Sequence, residues 1–510
     1  MTRSGFVVLL AVSATQLAAL DDPVPIASGF VTGTTDKMPD VRVYRGIPYA
    51  APPVGNLRWK PPQPPAPWTS VYAATGFGPS CMQTPYPKRS IFSAFSPPLG
   101  PVSEDCLTLN IWTAAKTPHD RRPVMVWIYG GAFTRGSSSL PSYDGAALAH
   151  KGVVLVTINY RLGVFGFLAH PGLTAESPHH SSGNYGILDQ IAALQWVRHN
   201  IAAFGGDPKR VTVFGESAGS WAVNCLMASP LAKGLFQRAI GESGGLFNPT
   251  RPLSEAEQEG EKFAASIGAS DIKSLRAKSA EDLLAAKWSG DPRPAVDGWL
   301  LPKDIYTIFS EGKENKVPLI AGSNADEGSV LSRWTAKDNA ATFRERAQAR
   351  YGSHAAEFLK LYPAATDEQA RDSHYRAFRD EFFWQMHTWA RLVSAHSREP
   401  AYLYQFTRAS RGPLAPFGAF HASEIAFVFG NHSAVRPWNG DDQKLADAMS
   451  AYWVQFATTG NPNGGDLPKW PAYEAKEDAL LELGDQIETV SHLHSSEIAF
   501  LDAFFAPERK

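Results

Sequence analysis

The sequence predicts an α/β fold in which helices cover both faces of a mostly parallel central sheet. Two observations predict it. Short, continuous runs of apolar and β-branched residues recur along the chain, and longer segments with apolar residues at helical spacing separate them. Continuous apolar runs are typical of strands that are buried on both faces, and such strands occur in parallel sheets whose connections are helices.

The first half of the chain alternates between the two patterns. Residues 124–129 and 153–160 are predicted strands, because both runs are apolar and rich in β-branched or aromatic side chains. Residues 187–203 repeat apolar positions three and four residues apart, which predicts a helix. A short strand at residues 211–214 and a helix at residues 218–227 follow directly.

The second half continues the alternation but contains more helix. Residues 317–321 and 401–406 are further predicted strands. Residues 255–277 and 342–393 carry helical patterns with few strand signals. We therefore expect these two segments to form insertions or a cap that packs beside the sheet.

Composition excludes several classes of protein. Of the 510 residues, 44% are hydrophobic and 19% are charged, which excludes wholesale disorder. Lys and Arg total 48 against 50 Asp and Glu, a formal net charge of −2. No basic excess is available to contact phosphates, so a nucleic-acid partner is not expected. The length alone suggests two or three structural units.

The N-terminus has the pattern of a secretory signal. A short positive start at residues 1–3 precedes an apolar run at residues 6–13, and small residues follow up to Ala19. We expect residues 1–19 to be a signal peptide and the protein to be secreted or periplasmic. The alternative is an N-terminal buried strand. No other stretch reaches the roughly 18 apolar residues of a membrane span.

The motif Gly-Glu-Ser-Ala-Gly at residues 215–219 is the strongest indication of chemistry. It lies between a predicted strand and a predicted helix, and a tight turn there lifts the hydroxyl of Ser217 out of the sheet. The adjoining helix N-terminus offers backbone N–H groups that stabilise an oxyanion. Ser217 is therefore a predicted nucleophile; the alternative is a structural turn with an exposed serine.

Three further segments fit around this serine. Residues 130–133 (Gly-Gly-Ala-Phe) follow a predicted strand, and small residues there let backbone N–H groups face a substrate oxygen. In α/β hydrolases the acid and then the histidine follow the serine along the chain. Residues 326–328 (Asp-Glu-Gly) and His421 lie after predicted strands in that order. His387 and His396, among other histidines, remain alternatives.

Ordered motifs then span the chain from about Gly29 to Tyr473. They are residues 46–50, 103–107, 159–167, 183–208, 215–220, 325–329, 421–430 and 456–463. With these motifs the chain resembles the type-B carboxylesterase family, which includes cholinesterases and bacterial para-nitrobenzyl esterases. The resemblance implies an α/β-hydrolase domain over residues 20–510. It also implies a serine carboxylesterase that needs no metal or other cofactor.

The resemblance implies a role for each matching residue. Ser217 resembles the nucleophile, Glu327 the acid of the triad, and His421 the general base. The remaining roles are oxyanion donors at Gly131, Ala132 and Ala218, and polar residues near the triad at Glu216 and Ser243. An ester would react through an acyl-enzyme intermediate held by these groups.

Cys81, Cys106 and Cys225 allow at most one disulfide, and the count alone leaves open three reduced thiols. The resemblance implies a Cys81–Cys106 disulfide. It also implies two structural ion pairs, Arg58 with Glu104 and Arg161 with Asp189.

Substrate signals are weaker. Cholinesterases carry a tryptophan in the disulfide loop, whereas residues 82–105 contain none, so we expect small to medium, non-choline esters. Four aromatic residues close to the motifs are candidate pocket residues or, equally, core residues: Phe133, Trp334, Phe417 and Phe420. Three arginines in nearby loops could bind an anionic part of the substrate or be solvated: Arg135, Arg408 and Arg411.

Two other functions remain open at this stage. The triad does not distinguish esters from amides or lactones. Some members of the family are non-catalytic modules that bind partner proteins, although those typically lack the serine. We expect a small-molecule ester as the partner of this chain, no membrane span, and a monomer or weak homo-oligomer.

Overall fold

The computed structural model describes residues 20, 22–87, 90–95, 99–432 and 435–509. The signal peptide expected at residues 1–19 lies outside the described residues. In chain order the strands are β1 (Val24–Ile26), β2 (Gly29–Thr32), β3 (Thr34–Thr35), β4 (Arg42–Pro48), β5 (Val71–Ala73), β6 (Ser80–Cys81), β7 (Val102–Ser103), β8 (Thr108–Thr113), β9 (Arg122–Ile128), β10 (Val154–Ile158), β11 (Gly206–Glu216), β12 (Arg238–Glu242), β13 (Leu319–Asn324), β14 (Ala401–Phe406), β15 (Ala479–Leu483) and β16 (Ile487–Ser491).

The α-helices lie between and after these strands. They are α1 (Phe92–Phe95), α2 (Ala146–His150), α3 (Gly163–Phe167), α4 (Pro171–Glu176), α5 (Tyr185–Asn200), α6 (Ala218–Ala228), α7 (Leu253–Ser266), α8 (Ile272–Arg276), α9 (Ala280–Ala285), α10 (Ile305–Ser310), α11 (Gly328–Leu331), α12 (Ala340–Tyr351), α13 (Ala355–Leu361), α14 (Asp367–His396), α15 (Ile425–Phe429), α16 (Gly440–Thr459) and α17 (Ser495–Phe505).

A mostly parallel sheet organises the molecule, as the sequence predicts. Within the described residues it has eleven strands in the order β16-β15-β14-β13-β12-β11-β9-β10-β8-β4-β3. Every pairing from β15 to β10 is parallel, and antiparallel pairings occur only towards the two edges. The central strands β9, β10, β13 and β14 are buried almost throughout, which explains their continuous apolar runs.

Each strand predicted from the sequence is present, with ends that differ by a few residues. One of the two predicted helical segments packs differently from the prediction. The segment 342–393 forms α12, α13 and most of α14, and α14 packs directly on β13 and β14 rather than only beside the sheet. Trp389 of α14 lies where a Cβ on Gly241 of β12 would clash, at 2.4 Å from its ring. The long helix therefore forms part of the layer that covers the sheet.

Covalent and ionic links also hold loops of the molecule in place. A disulfide joins Cys81 and Cys106, and Cys225 is a buried free thiol. The two ion pairs implied by the resemblance are present, with Arg58 Nε 2.6 Å from Glu104 Oε1 and Arg161 Nε 2.8 Å from Asp189 Oδ2. No helix in the part of the chain that the structure describes is long and apolar enough to cross a bilayer.

Candidate active site

Ser217 stands alone between β11 and α6. Its backbone has φ 58° and ψ −123°, a left-handed conformation that is strained for a residue with a Cβ. Its N–H donates to the carbonyl of Glu242 at 2.8 Å, and its own carbonyl accepts from the N–H of Trp221 at 2.9 Å. The surrounding backbone therefore holds the strained turn in place, and the serine lines an open cavity.

The two glycines of the motif allow this turn to form. A Cβ on Gly219 would lie 1.9 Å from the carbonyl oxygen of Ile128, at the end of β9. A Cβ on Gly215 would lie 2.6 Å from both Gly219 and the same carbonyl oxygen. Helix α6 therefore begins in direct contact with β9, and only glycine fits at these positions.

The loop after β9 passes beside Ser217. A Cβ on Gly130 would lie 2.8 Å from the Cβ of Ser217. Gly131 and Ala132 then have φ values of 105° and 54°. Among the described residues, no backbone acceptor is found for the N–H groups of Gly131, Ala132 or Ala218. These three N–H groups thus remain available to an oxyanion next to the serine.

Glu327 and His421 are in direct contact. His421 Nδ1 lies 2.5 Å from Glu327 Oε2, and both side chains are buried. Glu327 Oε1 also accepts from the N–H of Asn324 at 2.8 Å, so both carboxylate oxygens are satisfied. A carboxylate beside Nδ1 requires the hydrogen on that nitrogen, which leaves Nε2 of neutral His421 as a base.

Two loops bring this pair together. The loop after β13 carries Glu327, and the loop after β14 carries His421. Asp326 N donates to the carbonyl of Ala419 at 3.1 Å, and Asp326 Oδ2 accepts from the N–H of the same residue at 2.8 Å. Asn324 Nδ2 donates to the carbonyl of Phe420 at 2.8 Å. The neighbouring parallel strands β13 and β14 thus set the spacing of the two side chains.

His421 Nε2 faces Glu216, not Ser217. Nε2 lies 3.0 Å from Glu216 Oε1, and the described contacts include no hydrogen bond between His421 and the Ser217 hydroxyl. Burial lowers the pKa of His421, but the nearby carboxyls of Glu216 and Glu327 raise it more, to about 9. Burial raises the pKa of Glu216 to about 8. The hydrogen bond between a catalytic histidine and its serine is often long or poorly aligned in an unliganded enzyme and tightens around the substrate.

Two buried glutamates near this site are not among the site residues predicted from the sequence. Glu424 accepts from Asn324 Nδ2, and burial raises its pKa to about 7. Glu242 accepts from Trp453 Nε1 at 2.8 Å, and burial raises its pKa well above the ordinary value. Glu424 lies in the same motif as His421, so the sequence could have indicated it as a site residue. Glu242 has no such indication. The predicted Ser243 is fully buried beside it at the end of β12, with φ 54°.

A cavity of about 480 Å³ opens onto Ser217 and His421. Its wall also includes residues 130–132 of the loop after β9 (the oxyanion loop, after its predicted role), Glu216, and the loop that follows the disulfide at Cys81. The side chains on that wall include Tyr86, Phe92, Arg135, Phe420, His432 and Arg436.

Of the four aromatic residues predicted for the pocket, only Phe420 is on the described wall of this cavity. Phe133 points into the core, where its ring centroid lies 4.8 Å from that of Phe167. Trp334 packs on His374 at 5.5 Å, and Phe417 packs behind Phe420 at 6.5 Å. Nearness to a motif in sequence therefore did not predict the direction in which these three side chains point.

The three candidate arginines lie in different surroundings. Arg135 is on the cavity wall. Arg408 pairs with Asp442 at 2.7 Å and also with Asp485, and Arg411 pairs with Asp442 at 3.3 Å. Among the described residues, no group of three or more His, Cys, Asp and Glu side chains is arranged to hold a metal ion.

Known proteins are similar to this chain over nearly their whole length. A family model described as the carboxylesterase family matches residues 21–501. The chain is 39% identical over 503 residues to the fumonisin B1 esterase of Sphingopyxis macrogoltabida, covering 94% of this chain and 90% of that protein. It is 38% identical over 485 residues to the para-nitrobenzyl esterase of Bacillus subtilis strain 168, covering 90% and 94%.

Solved structures agree with the sequence relatives. A PNB esterase structure superposes with a TM-score of 0.80 at 36% identity, covering 94% of this chain and 99% of that one. A thermophilic PNB esterase gives a TM-score of 0.81 with the same identity and coverage. The fold is that of the α/β hydrolases. The chain therefore belongs to the carboxylesterase family, and it is a carboxylic ester hydrolase.

Proposed function

We propose that this protein is a serine carboxylesterase that works through an acyl-enzyme, with Ser217 as nucleophile, His421 as general base and Glu327 as its orienting acid. The contact between His421 Nδ1 and Glu327 Oε2 carries the proposal, because it fixes the hydrogen on Nδ1 and so makes Nε2 the basic nitrogen in a cavity that also contains Ser217. The strained turn at Ser217 supports the same assignment.

In the first half-reaction, Ser217 Oγ attacks the ester carbonyl carbon as His421 Nε2 accepts the hydroxyl proton. The carbonyl π electrons move to oxygen, and the N–H groups of Gly131, Ala132 and Ala218 stabilise that oxyanion. The C–O bond to the alcohol then breaks, and Nε2 returns the proton to the departing oxygen. Glu327 stabilises the imidazolium throughout without accepting its proton.

In the second half-reaction, water replaces the serine hydroxyl. His421 Nε2 accepts a proton from water as its oxygen attacks the acyl carbon. The same N–H groups hold the new oxyanion, and its collapse breaks the bond to Ser217 Oγ, which regains a proton from Nε2. Glu216 must move away from Nε2 before the serine hydroxyl or water can take that position.

The cavity supports small to medium esters without a quaternary ammonium group. Its volume of about 480 Å³ suits a compact substrate. The described part of its wall carries no tryptophan, the residue that best attracts such a cation. The relatives are named for different esters, so their names do not identify the natural substrate of this chain.

We also propose export through a signal at residues 1–19 and a monomer or weak homo-oligomer built from residues 20–510. Sequencing the N-terminus of the protein from culture medium or periplasm would test the first. Sedimentation at micromolar concentration would test the second.

Hydrolysis of p-nitrophenyl esters from acetate to palmitate tests the proposed function. We expect turnover of the shorter esters, and its loss by about 10⁴-fold or more in Ser217→Ala. Ser254→Ala, which removes an exposed hydroxyl from α7, is the matched control and should keep full activity. Turnover that survives in Ser217→Ala would contradict the proposal, as would a folded wild type that hydrolyses none of the series.

A further inference from the structure

Among the described residues, the buried arginines have carboxylate partners, with one exception. Among the described residues four arginines are buried: Arg58, Arg161, Arg408 and Arg436. The first three pair with Glu104, with Asp189, and with Asp442 and Asp485. Arg436 has no carboxylate within 4.0 Å in the described part of the chain, and it is the one of the four that lines the cavity of Ser217.

The surroundings of Arg436 hold its charge without neutralising it. The side chain is 5% exposed, and its Nη1 donates to the carbonyl of Ser423. Its guanidinium carbon lies 4.8 Å from the ring centre of Phe427 and 5.7 Å from that of Phe420. Nη2 is buried without a hydrogen-bond partner among the described residues. Burial lowers the pKa of Arg436 only to about 10, so it is charged at neutral pH.

A buried, unpaired charge with a free donor is costly to keep. Glu424 is near enough to favour the charged guanidinium, but its carboxylate is hydrogen-bonded to Asn324 and lies beyond ion-pair distance. A protein that only needed packing here would gain stability from an apolar side chain. Arg436 lines the cavity of Ser217 and has no carboxylate partner among the described residues, so its charge indicates an anion that comes from outside the chain.

Arg135 adds a second positive charge to the same wall. Its backbone curves against Gly131 of the oxyanion loop, and its guanidinium lies 5.1 Å from the ring centre of Tyr86. Within the described residues it has no ion pair. Glu216 is the one carboxyl on the described wall, and it faces His421. The charges on the wall are thus predominantly positive.

We propose that this cavity selects esters that carry a second, ionised carboxylate, and that Arg436, together with Arg135, binds that carboxylate. A planar guanidinium with a free N–H matches a carboxylate oxygen, and the low-dielectric wall strengthens the bond. This inference rests on the proposed function, because the ester group of the same molecule must reach Ser217. Arg436 is a binding residue in this account and takes no part in proton transfer.

Matched esters test the proposal. Monoethyl adipate is compared with ethyl hexanoate, which places the carboxylate in the acyl half. 4-Acetoxybenzoate is compared with 4-methylphenyl acetate, which places it in the alcohol half. We expect kcat/KM to favour the anionic member about 10-fold or more in at least one pair, the size of one charge-assisted hydrogen bond.

The variants then identify the residue. Arg436→Gln should abolish the preference for the anionic ester, and Arg436→Lys should restore part of it. Arg135→Gln should reduce the preference for the anionic ester, and this variant provides the test if Arg436→Gln does not fold. Arg198→Gln, which alters an exposed arginine of α5, is the control and should keep the preference.

The possible failures are distinguishable. Neutral esters turned over as well as the anionic ones, in both pairs, would overturn this inference and leave the esterase proposal standing. A preference that survives both Arg436→Gln and Arg135→Gln would also overturn it. A folded wild type that turns over neither kind of ester would refute the proposed function and this inference with it.

Discussion

At the scale of single residues, the chemistry depends on which groups surround His421. Glu327 holds Nδ1 at 2.5 Å, while Glu216 faces Nε2 at 3.0 Å. Both carboxyls favour the charged imidazolium, but they do so from opposite sides of the ring. Glu327 orients the base, whereas Glu216 occupies the position beside Nε2 that the serine hydroxyl or water must reach. Two substitutions separate these effects.

Replacing Glu327 by Gln should leave the fold intact and lower kcat by about 10⁴-fold, because an amide oxygen neither stabilises the imidazolium nor fixes the tautomer as well. The measurement is kcat for p-nitrophenyl acetate, with circular dichroism to verify folding. Activity within 10-fold of wild type would show that Glu327 is not the orienting acid.

Replacing Glu216 by Gln should shift the acid limb of the pH profile of kcat/KM towards lower pH. The Glu216 carboxylate raises the pKa of His421, so its removal lowers that pKa. Neutral His421, the active base, is then available at lower pH. Glu488→Gln, at an exposed position of β16, should leave the profile unchanged. A limb that stays in place, or moves to higher pH, would contradict this account of the base.

At the scale of elements, the site is a junction between strand ends. The loop after β9, the turn after β11 and the loops after β13 and β14 all meet where the parallel strands end. Close contact between α6 and β9 makes the junction rigid, and the disulfide anchors the loop that brings Tyr86 and Phe92 to the cavity. Each contact gives a prediction about stability.

Gly219→Ala should destabilise the protein by about 1–3 kcal/mol, because its methyl group would overlap the carbonyl of Ile128 at the end of β9. Gly440→Ala is a suitable control, since a Cβ at this first residue of α16 meets nothing within 4 Å. Thermal unfolding would compare the two. Equal melting temperatures for both variants would argue against the tight junction.

Removing the disulfide with the double substitution Cys81→Ala and Cys106→Ala should lower the free energy of unfolding by about 2–4 kcal/mol, because the bond closes a loop between positions 25 residues apart. Reductant should destabilise the wild type similarly. The double variant should be insensitive to reductant, and sensitivity there would point to a different cause.

At the scale of the whole molecule, one sheet gathers residues that are far apart in sequence. Gly131, Ser217, Glu327 and His421 lie on four separate loops, yet they line or adjoin one cavity. We therefore expect residues 20–510 to unfold as one cooperative unit. Far-ultraviolet circular dichroism and residual activity should give a single, coincident thermal transition, and two separated transitions would contradict a single domain.

The sequence predicted the framework of this assembly better than its cavity wall. Strands buried on both faces leave continuous apolar runs, so β9, β10, β13 and β14 were visible. The strand–turn–helix around Ser217 was visible for the same reason. Strand β12 leaves a weak signal, because its five residues (RAIGE) include Arg, Gly and Glu and form no continuous apolar run. The directions of Phe133 and Trp334, and the unpaired charge of Arg436, depend on contacts between distant loops, which no local pattern records.

The central claim is that Ser217 forms the covalent intermediate. Its most direct test is labelling with a fluorophosphonate, followed by mass spectrometry of the peptides. The account predicts one label per chain, on Ser217, with ester hydrolysis falling in proportion to labelling and His421→Ala greatly slowing the reaction. Label on another residue, or hydrolysis that persists in fully labelled protein, would contradict it.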